Sequence, residues 1–112
     1  SYESPHVGLK VSMHKNSYWQ NFGARPDENS FLHLEIGHNT VTNLGDGPVS
    51  LDLKGGSLAS LGISEGGVTE QGNIVSVHKT FDSNRYVVIQ GDRRLRGYIE
   101  YMLSTVTKIS AE

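Results

Sequence analysis

Val7, Leu9, Val11 and Met13 alternate with Gly8, Lys10, Ser12 and His14 near the start of the chain. A period of two puts one set of side chains on a buried face and the other on an open face, the pattern of a half-buried strand. The same alternation returns at Leu32, Leu34 and Ile36, with His33 and Glu35 between them. It returns again at Val49, Leu51 and Leu53, set against Ser50, Asp52 and Lys54. Val75, Val77 and Phe81 mark a further strand, and the β-branched run Arg85 to Gln90 reads as a short central one. Asp82, Ser83 and Asn84 separate the last two runs and predict a hairpin loop. Asn43 to Pro48 is dense in turn formers.

Three segments have a less regular pattern. Asn16 to Ser30 has no clean period and reads as a long ordered connection, pinned to the body by Trp19 and Phe22. Gly55 to Gly72 is rich in glycine and serine, with room for one helical turn at Leu58 and Leu61. From Leu95 to Ile109 two periods coexist. Leu95, Tyr98, Ile99, Met102, Leu103, Val106 and Ile109 recur at helical spacing, whereas Ile99, Tyr101, Leu103, Thr105, Thr107 and Ile109 share a strand face. Three β-branched residues at 105–107, which lose rotamer freedom in a helix, and Gly97, which costs a helix about 1 kcal/mol relative to alanine, favour the strand. On that reading Gly91 to Gly97, sequence GDRRLRG, is a reversal between strands.

Six or seven strands with frequent turns predict an all-β fold, an antiparallel β-sandwich of immunoglobulin-like shape, formed by residues 1–112 as a single domain. The alternative is an α+β fold in which a C-terminal helix packs on an antiparallel sheet. The stretch VTNLGDGPVSLDL, Val41 to Leu53, resembles a strand–turn–strand unit of immunoglobulin-like surface modules, without the paired cysteines of antibody-type domains.

Composition narrows the function classes. Ten basic residues face twelve acidic ones, for a net charge of −2, so the broad basic excess of nucleic-acid-binding domains is missing and no nucleic-acid partner is expected. The absence of cysteine excludes disulfides and thiolate metal sites. No apolar run approaches the roughly 20 residues of a membrane-spanning helix. The chain starts SYESPHV, without methionine, which suggests a processed or cropped start; an extracellular or cell-envelope location is expected.

Candidate chemistry is sparse. His6, His14, His33, His38 and His78 are scattered singly, and His33 and Glu35 are expected on a solvent-facing strand surface. Serines are numerous, but no G-x-S-x-G elbow, phosphate-cradling glycine motif or calcium loop is present. The carboxylate pairs Asp27 with Glu28 and Asp46 with Asp52 lack an apolar setting that would raise a pKa. No catalytic residue, metal site or cofactor is therefore assigned. The distinctive feature is Arg93, Arg94, Leu95 and Arg96, which combines guanidinium groups with a small apolar anchor. Trp19 is a second candidate contact. The expected role is a non-catalytic protein-binding or assembly module with a protein partner. The competing readings are a small inhibitor or immunity-type protein that blocks a target with a loop, and a histidine-dependent metalloprotein or hydrolase.

Overall fold

The alternating runs become the strands of two antiparallel sheets. A computed structural model describes residues 2–14, 16–37, 44–45 and 47–109. His38, Asp46 and part of the Val41 to Leu53 stretch lie outside the described residues. In chain order the strands are β1 (Tyr2–Ser4), β2 (Leu9–Val11), β3 (Tyr18–Asn21), β4 (Ser30–Gly37), β5 (Val49–Gly55), β6 (Val68–Gln71), β7 (Ile74–Asp82), β8 (Arg85–Asp92) and β9 (Thr107–Lys108), with one helix, α1 (Arg96–Thr105), between the last two. The larger sheet has the order β3-β4-β5-β8-β7-β6, and the smaller one β1-β2-β9. The chain is mostly β, with a C-terminal helix packed on antiparallel sheet.

Strand register follows the hydrophobic pattern. Leu34 lies opposite Leu51, Leu51 opposite Ile89 and Ile89 opposite Val77, so four strands contribute one apolar row to the inner face. The expected hairpin joins β7 to β8. Asp82 and Arg85 pair across Ser83 and Asn84, the Asn84 N–H donates to Asp82 Oδ1 at 2.9 Å, and the Arg85 guanidinium lies 2.7 Å from Asp82 Oδ2.

Helix α1 covers the inner face and replaces the expected strand over residues 96–105, while Thr107–Lys108 at the end of that run does pair as a strand, β9. The helix packs on β7, β8 and β2, burying Ile99, Met102 and Leu103. Full burial of the first two stabilises the fold by about 1.5–3 kcal/mol each, more than Gly97 costs, and Val106 and Thr107 lie beyond the helix in extended backbone. Gly91 in β8 makes the approach possible. A β-carbon there would sit 3.0 Å from Ile99 Cδ1 and 3.0 Å from the Pro48 carbonyl. The helix end is closed from far away in sequence. Lys79 Nζ, on β7, donates to the Val106 carbonyl at 2.9 Å and the Leu103 carbonyl at 3.4 Å. A cation at this end also opposes the helix dipole. Thr105 Oγ1 accepts the Ser12 N–H at 2.9 Å, tying the helix to the smaller sheet.

The GDRRLRG segment is consequently not a reversal between strands. Gly91 and Asp92 finish β8, Arg93–Leu95 form one 3-10 turn, and Arg96 begins α1. The connection before β4 holds a short strand, β3, and a 3-10 turn at Pro26–Glu28. The glycine-rich stretch contains the expected helical turn, Ala59–Leu61 beside a buried Leu58, and then β6.

Candidate functional site

Two features of the larger sheet stand out, a buried charged cluster on its outer face and an open aromatic edge at β3. The cluster begins with the alternation of β4. His33 and Glu35 point away from the inner core, beside Asp52 of β5. They are not the solvent-facing pair the sequence suggested: His33 is 6% exposed and Glu35 3%. The segments on either side of β4 cover them. The Phe22 ring lies 5.9 Å from the His33 ring, and the turn before β5 closes over Glu35. There the Gly45 N–H donates to Glu35 Oε2 at 2.9 Å and the Gly47 N–H to Oε1 at 2.8 Å. A β-carbon at residue 47 would sit 2.6 Å from the Glu35 β-carbon, so only glycine admits this approach.

His33 joins two carboxylates. Its Nδ1 is 2.8 Å from Asp52 Oδ1 and its Nε2 2.8 Å from Glu35 Oε2. Ser30 Oγ donates to Asp52 Oδ1 at 2.8 Å. Burial pushes the Glu35 carboxyl up, but the Gly47 N–H, the His33 ring and the Gly45 N–H outweigh it and hold the carboxyl below the usual range. Burial also pushes the Tyr86 phenol up, helped by the nearby Asp52 charge.

The chemical capacity of the cluster is limited by its own completeness. Both ring nitrogens of His33 are engaged, on opposite sides of the ring, so neither is free to take a proton from a substrate, and the three side chains do not surround a common point. His78 is buried as well, with Nδ1 2.9 Å from the Gly67 carbonyl. His6 and His14 are exposed and lie on different segments. Among the described residues no group of three or more metal-binding side chains converges.

The aromatic edge differs in every respect. β3 terminates the larger sheet, and all four of its residues are exposed. Trp19 is 49% exposed and Tyr18 52%. Trp19 meets Tyr2 edge-on, with ring centroids 4.8 Å apart, and the Tyr2 hydroxyl accepts from Asn21 Nδ2 at 2.8 Å. These contacts hold the indole and the strand in place while half of the ring faces solvent.

The other sequence candidates are distributed over the 3-10 turn and the start of α1. Arg93, Arg94 and Arg96 are exposed, but Leu95 is partly buried against the core. Arg94 is held by its neighbour: Nε lies 3.0 Å from Asp92 Oδ1, whose carboxyl is kept below its usual range by the Arg94 side chain. Arg96 reaches Glu100 at 3.5 Å, one helical turn on. Leu95 and Tyr98 line a groove of about 310 Å3 with His14 and Asn16. The Tyr98 hydroxyl there is occupied by the His14 N–H at 3.2 Å and Ser17 Oγ at 3.0 Å.

Sequence reasoning missed β3 as a strand and His33–Glu35–Asp52 as a cluster. An exposed edge strand has no buried face to impose alternation. The cluster had one visible signal, two ionisable residues two apart in a strand otherwise rich in leucine and isoleucine. Compared with known protein families, curated proteins and solved structures, the chain gives no match.

Proposed function

We propose that this chain is a non-catalytic protein-binding module that takes an extended segment of a protein partner along the outer side of β3, with Trp19 as the anchor. The observation that carries this reading is an edge strand with two half-exposed aromatic residues and no charge. Edge strands are commonly guarded by charged residues, proline or bulges, because their unpaired backbone groups invite further pairing. Tyr18, Trp19, Gln20 and Asn21 carry none of these guards. Strand addition draws affinity from main-chain hydrogen bonds and specificity from alternate side chains. A tryptophan held on a tyrosine contributes contact area with little loss of rotamer freedom on binding.

Of the residues expected to contact a partner, Trp19 supports the reading most directly. Arg93, Arg94 and Arg96 form a secondary surface whose charge is partly neutralised by Asp92 and Glu100. Leu95 contributes to the core and is a poor anchor.

Affinity capture from the native source, followed by titration of the recovered partner against variants, tests the proposal. Trp19→Ala should weaken binding tenfold or more, since a hot-spot residue carries at least about 1.4 kcal/mol. Replacing Arg93, Arg94 and Arg96 with glutamine should leave most of the affinity in place. The opposite ranking moves the contact to the arginine turn, and equal affinities for all three chains remove both surfaces.

A further inference from the structure

The backbone of β3 specifies more than a generic edge. The Phe22 N–H donates to the His33 carbonyl at 2.9 Å, so the main chain of residue 22 faces β4. Backbone groups alternate sides along a strand. Gln20, opposite Glu35, therefore also faces β4, whereas Trp19 and Asn21 turn their N–H and C=O groups outward, where the Asn21 carbonyl has one long contact, 3.5 Å from Gln20 Nε2. Among the described residues no strand pairs with that outer side.

We infer that this edge pairs with the β3 of a second copy of the chain, antiparallel and across a two-fold axis centred on Gln20. This inference rests on the reading of β3 as the contact edge and names its partner. In that register Trp19 lies opposite Asn21 of the second copy, and Asn21 opposite Trp19 of the second copy. Each outward N–H meets an outward carbonyl, so the outward donors and acceptors of both residues are used with none left over. The two larger sheets then run on as one.

Side-chain chemistry agrees with self-pairing. A two-fold axis brings the central residue against its own copy, and like charges directly opposite are destabilising. Gln20 at the centre is neutral, and two carboxamides can donate to and accept from each other. The other end of the sheet, β6, carries Glu70 and is less suited to symmetric pairing. Trp19 shares a face with Asn21, so in the pair each indole lies next to the Asn21 of the second copy, while its own Asn21 remains held by Tyr2.

The interface is small, so the dimer is a weak and reversible one. Sedimentation equilibrium over rising protein concentration, to roughly 1 mM, reads it directly. The wild-type chain should show a monomer–dimer equilibrium. Gln20→Lys and Gln20→Glu should each be monomeric over the same range, because each sets like charges face to face. An equimolar mixture of the two should recover a heterodimer. Circular dichroism melts verify that both variants fold, and Thr69→Lys on β6 should dimerise like wild type. A wild-type chain that stays monomeric throughout overturns the inference, as does a dimer that survives both Gln20 variants. A monomeric wild type that still loses a captured partner on Trp19→Ala overturns only the self-pairing and leaves strand addition by another protein standing.

Discussion

The two sides of β4 show opposite uses of polar and apolar groups. Toward β5, β4 buries a histidine between two carboxylates, with each ring nitrogen 2.8 Å from a carboxylate oxygen. Toward solvent, β3 exposes a tryptophan and a tyrosine beside backbone groups that no other described strand pairs. Titratable side chains are conventional markers of a functional site, yet here they are the closed region. These hydrogen bonds hold the outer face together and fix the N–H groups of Gly45 and Gly47 over Glu35. An unpaired strand edge retains hydrogen-bonding capacity. On the proposed reading of β3, unsatisfied hydrogen-bonding capacity marks the contact and the density of ionisable residues does not.

The largest expected effect comes from breaking the closed region. His33→Ala takes the imidazole from between buried Glu35 and half-buried Asp52 and leaves both carboxylates without that partner, which should cost about 3 kcal/mol in urea unfolding. A smaller loss would mean that water reaches the cluster and that the two regions differ less than the geometry implies.

Acid should loosen the same region in a defined direction. The Glu35 carboxyl is held below its ordinary value of 4.5, so the native state binds its proton less readily than the unfolded chain does. Its contribution to stability is then fully present above about pH 4.5 and is lost as the pH falls through the lower folded value. Unfolding midpoints followed from pH 6 downward should decline in that window, and Glu35→Gln should flatten this part of the profile. An unchanged slope in the variant would assign the acid sensitivity to other carboxylates.

An intermediate effect is expected at the end of α1. Lys79→Met keeps the aliphatic stem but leaves the Val106 carbonyl without its ammonium, at a cost of about 1 kcal/mol. Hydrogen exchange in the last turn of the helix should rise more than exchange in β8.

The smallest stability effect belongs to the open region. Trp19→Ala removes a half-exposed ring and should lower stability by about 1 kcal/mol or less, while removing most partner affinity. A loss comparable with that of His33→Ala would show that the indole is a structural prop for Tyr2, and the contrast between the two regions would fail.

Much of the sheet was written in the local pattern. β4, β5, β7 and β8 each carry apolar residues that one buried face demands, and the Asp82–Arg85 hairpin carries its own turn chemistry. Trp19 was legible as a second contact candidate, beside its reading as a residue that pins the connection to the body. The location of β3 was not legible, since a strand exposed on both faces has no period to read. The arginine turn looked like a hairpin tip because the next element was misread, and that element depended on distant residues.

Local alternation alone accounts for β4, β5, β7 and β8, because in these runs a period of two leaves one way to bury the apolar half. The sequence by itself also determined that the domain would have neither disulfides nor thiolate ligands. Tertiary structure decided the rest. Residues 96–105 satisfy both periods, and they became a helix because Gly91 lets Ile99 approach the sheet and Lys79 closes the last turn. His33, Glu35 and Asp52 became a buried cluster because the glycines at 45 and 47 let a turn close over the outer face. In both cases the deciding free energy lies in contacts between residues far apart in the chain, which local periodicity does not encode.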